Sequence, residues 1–105
     1  MKTDGKMYVV LPENAIVDAF TKTGTLLYFT ATGCEPCQEL KPSLQILGKQ
    51  TPGTVLEIDV DVHETIAQKY NVQSVPYLVC VRNHKVVWSH VGILSSRAIL
   101  KMGFP

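Results

Sequence analysis

No apolar run in the 105-residue chain approaches the roughly 20 residues needed to cross a bilayer, so a spanning helix is excluded. Charge is sparse and balanced. Ten Lys and Arg stand against nine Asp and Glu, a net charge of +1, which gives no general electrostatic reason to bind nucleic acid or an acidic membrane. Residues 1–7 hold no apolar stretch before a small-residue cleavage site, so no signal peptide is expected and a cytoplasmic location is the default; a mature exported form cloned without its leader would read the same. With only three cysteines, a disulfide framework is a poor reading and thiol chemistry a better one. No linker, repeat or low-complexity stretch divides the chain, and residues 1–105 are expected to form a single domain. What is present is a core: 46% of the residues are apolar and 18% charged, the balance of a soluble, folded chain.

The hydrophobic pattern alternates between strand and helix. Tyr8–Leu11 reads as a short strand stopped by Pro12, and Asn14–Thr23 as a helix with Ile16, Val17 and Phe20 inward and Gly24 as its stop. Thr25–Ala31 reads as a buried strand. Gln38–Gly48 reads as a helix, with Cys37, Leu40, Leu44 and Leu47 on one stripe and Pro42 inside it as a source of bending. A turn at Thr51–Gly53 leads to a strand over Val55–Val60, then a short helix over Glu64–Tyr70 with Asp61 as its cap. Tyr77–Arg82 and Lys85–His90 are close enough to pair as a hairpin through Asn83 and His84. Ser95–Met102 closes the chain as a helix with Ser95 at its N-cap. The order βαβαβαββα predicts an α/β fold: a central mixed sheet of about five strands flanked by four helices, parallel at the front with an antiparallel hairpin at the edge.

Chemistry concentrates at Cys34, Glu35, Pro36 and Cys37, where a strand gives way to a helix. Two cysteines separated by two residues can close a small disulfide ring in the first helical turn. The helix N-terminus supplies unpaired N–H groups and a positive dipole end, which favour a thiolate at Cys34. Cys34 is therefore the expected nucleophile. Cys37, on the apolar stripe, is the expected resolving thiol. Half of a zinc site is the competing reading, but no second ligand pair is evident: Cys80 alternates with Val79 and Val81 in a strand, and His63, His84 and His90 read as surface or turn residues. Glu35 is expected to oppose the dipole by like-charge proximity, disfavouring the Cys34 thiolate and tilting the pair toward a reductant. As a helix-start acid it is also simply well placed.

Together with two further features, this motif resembles the thioredoxin family across essentially the whole chain. Cys34 to Cys37 is similar to that family's Cys-Gly-Pro-Cys, including the proline directly before the second cysteine. Ser74, Val75 and Pro76 open a strand and resemble the family's cis-proline loop, and Val91–Gly92 matches the glycine flanking its substrate groove. The resemblance implies a thioredoxin fold, a cis bond before Pro76, and a shallow groove rimmed by Gly33, Val60, Val75, Val91 and Gly92, with the Val75 backbone free to pair with an extended substrate. It also implies a thiol-disulfide oxidoreductase that reduces protein disulfides. No tightly bound cofactor or metal is expected. The expected partners are substrate proteins and a thioredoxin-reductase-type electron donor, with the chain acting as a monomer.

Four positions depart from the family pattern. Gly33 stands where a Trp is usual, Glu35 where a Gly is usual, Tyr28 in place of a buried acid, and Glu57 in place of its partner lysine. Two readings of Tyr28 and Glu57 stay open. Either Glu57 faces solvent and Tyr28 is a packed strand aromatic, or Glu57 reaches inward to accept the Cys37 proton, directly or through water or the Tyr28 hydroxyl. Rival functions follow from the same departures: an oxidase or isomerase of exported proteins, or a binding module that keeps the fold without turnover.

Overall fold

The computed structural model describes residues 7–9, 24–51 and 53–104. Among them are five strands and three helices: β1 (Met7–Val9), β2 (Thr25–Thr30), α1 (Glu35–Gln50), β3 (Thr54–Asp59), α2 (Glu64–Lys69), β4 (Tyr77–Arg82), β5 (Lys85–Val91) and α3 (Ser96–Lys101). The strands form one sheet in the order β1-β3-β2-β4-β5. β1 and β2 run parallel to β3, whereas β4 runs antiparallel to both β2 and β5. The mixed sheet with an antiparallel edge is thus as expected. The expected helix Asn14–Thr23, the end of the first expected strand, and prolines 12 and 52 lie outside the described residues.

Period-two alternation divides the sheet residues between two cores. Leu26, Tyr28, Val55, Leu78 and Cys80 pack with Cys37, Leu40, Leu44 and Leu47 of α1 and Ile99 of α3. Leu27, Phe29, Leu56, Ile58, Val79 and Val81 build the opposite face, against which Ile66, Tyr70 and Val72 pack. β2 and β4 lie inside the sheet with both faces covered, which is why they read as continuous apolar runs. Trp88 packs against the α1 face from β5, and Cys80 is fully buried beside it as a core residue.

Local chemistry sets the element ends. Asn83 and His84 both adopt positive φ (54° and 63°), the pair of left-handed residues that a tight hairpin turn requires. Ser95 caps α3, its Oγ accepting from Ala98 N at 3.1 Å. One expectation fails here. Asp61 does not cap α2: the cap is His63, and the Asp61 N–H is itself bonded by Asp59 Oδ1 at 2.8 Å. His63 lies in that turn, one of the two places expected for it, and is buried there.

Candidate active site

α1 begins earlier than the apolar stripe alone indicates. Glu35 is its first residue and Pro36 its second, where the missing N–H would have had no intrahelical partner. The cap is Cys34 itself, whose Sγ accepts from Cys37 N at 3.2 Å. One sulfur thus sits at the positive end of a helix, facing a backbone donor. In the reduced state the same donor and dipole favour its anion. Cys34 and Cys37 are joined as a disulfide with Cα atoms 5.3 Å apart, inside the range a disulfide bridges without backbone movement.

Their surroundings differ sharply. Cys34 is partly exposed, whereas Cys37 is 0% exposed and packed into the α1 core with Leu40 and Leu44. A partner's sulfur can reach Cys34 and not Cys37. Gly33, just before it, is exposed with φ +80°, and a Cβ built there would meet nothing within 4 Å. Where the family carries a large aromatic ring, this chain has open space and a backbone that disfavours a side chain.

Strand ends assemble the rest of the rim. Val60 is drawn to the end of β2 by its N–H, which donates to Thr30 O at 2.9 Å. The Val75–Pro76 bond is cis, as the resemblance implied. Gly92 N donates to Pro76 O at 2.9 Å, and Tyr77 pairs with Val91, so Val75, Pro76, Val91 and Gly92 lie together. Val91 is 58% exposed, a large apolar surface left to solvent. Val62 and Ile93, which sequence reasoning did not select, follow closely on Val60 and Gly92 in the chain and are 54% and 47% exposed.

Beneath the dithiol, Tyr28 is buried, and its hydroxyl donates to the Cys37 carbonyl at 2.8 Å. That bond is to the backbone, not the thiol. Burial pushes the Tyr28 phenol above its ordinary value, a hydrogen bond with the Thr30 side chain offsets part of this, and the Glu57 charge adds to it. Glu57 lies directly opposite Tyr28 in the β2–β3 register. It does not face solvent. Its side chain is 17% exposed, and Oε1, buried and without a hydrogen bond, lies 3.4 Å from Lys41 Nζ on α1. Lys41 is the residue sequence reasoning missed. The only signal for it was its place four residues after Cys37, and its partner lies on a separate strand. Glu35 is exposed on the first turn, next to Cys34.

The arrangement can do one kind of chemistry well: make and break a sulfur–sulfur bond from its open side. Among the described residues no three His, Cys, Asp or Glu side chains group to hold a metal ion, and no helix is long and apolar enough to cross a membrane.

Comparison with known proteins agrees with this geometry. Residues 13–102 match the thioredoxin family model. The chain is 30% identical over 97 residues to a thioredoxin of Chlamydia trachomatis serovar D, covering 91% of this chain and 95% of the relative. It is 35% identical over 69 residues to thioredoxin-1 of Drosophila melanogaster, 64% of each protein. Among solved structures, a point-mutant thioredoxin from Halobacterium salinarum superposes with a TM-score of 0.87 at 30% identity, covering 97% of this chain and 91% of the other. Spinach chloroplast thioredoxin f, at 20% identity and a TM-score of 0.80 over 93% and 91% of the two chains, supports the fold alone.

Proposed function

The chain belongs to the thioredoxin family of thiol-disulfide oxidoreductases, and from that membership we propose that it works as a reductant of protein disulfides, turning over through Cys34 and Cys37. The observation that carries this is the inequality of the two sulfurs: one half-open at a helix N-terminus, its partner sealed in the core three residues on. In the reduced chain the Cys34 thiolate attacks one sulfur of a partner disulfide. A Cys34–partner bond forms, and the partner's other sulfur leaves as a thiolate and takes up a proton. The Cys37 thiolate then attacks Cys34 Sγ, re-forming the Cys34–Cys37 bond and expelling the second partner thiol. The partner gains two electrons and two protons, which the dithiol loses.

No bound cofactor enters these steps. A reductase-type donor returns the two electrons, in a reducing compartment such as the cytoplasm, with the chain acting as a monomer. Exposed Val91 and partly buried Val75, beside Pro76, would meet the apolar residues flanking a partner's disulfide, and the Val75 backbone would pair with an extended segment.

Titrating the Cys34–Cys37 pair against dithiothreitol and glutathione buffers tests the reading. A midpoint at or below the cytosolic glutathione poise, about −220 to −260 mV, is expected of a reductant. A midpoint near −120 mV would mark an oxidant instead. Failure to reduce and reoxidise would leave a binding module.

A further inference from the structure

The turn of α1 that carries Cys37 is fastened to the sheet at both of its ends. At one end the buried Tyr28 hydroxyl of β2 donates to the Cys37 carbonyl at 2.8 Å. At the other, Lys41, one helical turn on, meets Glu57 of β3 at 3.4 Å. Tyr28 and Glu57 are neighbours across the parallel β2–β3 ladder, so the two ties rise from adjacent points of the sheet. Pro42 follows at once. It lacks an N–H, so the helix loses its bond to the Gln38 carbonyl at the very turn these ties hold. A turn weakened on one side by proline and fastened on the other from two strands keeps a defined place.

We propose that Tyr28 and the Glu57–Lys41 pair form a brace that holds Cys37 Sγ in line with Cys34 Sγ, making Tyr28 and Glu57 positioning residues for the resolving step. The proposal rests on the redox reading above. The brace bears on the Cys37 carbonyl and on Lys41, on the far side of Cys37 from Cys34, whereas Cys34 is anchored by its own N–H, which donates to Ala31 O at 3.3 Å. In this role Glu57 fixes Lys41 and takes no proton. Tyr28 contributes a neutral donor, as its burial requires.

An activated aromatic disulfide such as 5,5′-dithiobis(2-nitrobenzoate) separates the two steps, because reduced protein releases one coloured thiolate when Cys34 attacks and a second when Cys37 resolves. Tyr28→Phe keeps the ring and removes the donor. It should leave the first phase at the wild-type rate and slow the second by about five- to tenfold, the scale of one buried hydrogen bond. Glu57→Gln should likewise slow only the second phase, by the same factor from pH 5 to pH 9. Either variant resolving at the wild-type rate, or slowing both phases alike, overturns the brace. Loss of a pH inflection in Glu57→Gln would overturn it too, since Glu57 would then be a proton acceptor. If wild-type protein releases only one equivalent, the redox reading itself fails, whatever the variants do.

Discussion

Reducing the Cys34–Cys37 bond should lower the stability of the folded chain by about 2 kcal/mol. The ring closed by the bond contains four residues, Cys34 through Cys37. For a loop of that size the chain-entropy relation gives about 6 cal/mol/K removed from the unfolded ensemble, or about 1.9 kcal/mol at 25 °C. In the folded chain the helical turn already sets the Cα atoms 5.3 Å apart, so closing the bond asks little of the backbone. A thermodynamic cycle links this difference to function. If oxidation stabilises the fold by that amount, folding stabilises the disulfide over the dithiol equally, which lowers the potential by about 40 mV relative to the unfolded chain. The assay is urea unfolding of the oxidised protein and of the same protein in dithiothreitol, with the oxidised midpoint expected about 1–2 M higher. A reduced form as stable as the oxidised one, or more so, would refute the reasoning. It would mean that the fold prefers the dithiol, the signature of an oxidant.

Other outcomes are expected from the same geometry. Cys37→Ser should accumulate mixed disulfides between Cys34 and its partners, visible as reducible adducts on non-reducing gels, whereas Cys34→Ser should give none because Cys37 is sealed. Cys80 is fully buried, and burial pushes its thiol up with Arg82 only partly countering, so iodoacetamide at pH 8 should modify Cys34 in the native reduced protein and leave Cys80 untouched until denaturant is added. The Tyr28 phenol is held above its unfolded value of 10.0, so the folded state keeps a proton that the unfolded state sheds. Stability should therefore be unaffected below pH 10 and fall as pH rises above it, and Tyr28→Phe should remove that part of the alkaline loss. Removing the charge beside Cys34 by Glu35→Gln should raise the potential by about 10 mV, the scale of a surface charge interaction; an unchanged value would dismiss the electrostatic role of Glu35.

Local patterns were legible and long-range ones were not. Cys37, Leu40, Leu44 and Leu47 repeat at helical spacing, and all four are fully buried. The hairpin was readable because Asn83 tolerates the left-handed backbone the turn needs. The start of α1 was harder, since its cap is a cysteine and its first turn contains proline, neither of them the side-chain signal of a usual cap. Its last residues, Lys49 and Gln50, are exposed and carry no periodicity. Of the candidate site, the dithiol, the cis-proline loop and Gly92 could be placed from motif spacing. The inward turn of Glu57 could not. Its counter-charge, Lys41, belongs to another element, and which face of β3 it shares depends on sheet register rather than on neighbours in sequence. The burial of His63 had no local signal at all.

A visitor grasped through a single atom, as proposed for Cys34, would have the duration of its encounter decided from within. On the proposed mechanism, the sulfur that ends an engagement of Cys34 is already in place three residues away, so release would follow first-order kinetics and need no third molecule. Dilution would not prolong such a complex, and crowding would not shorten it.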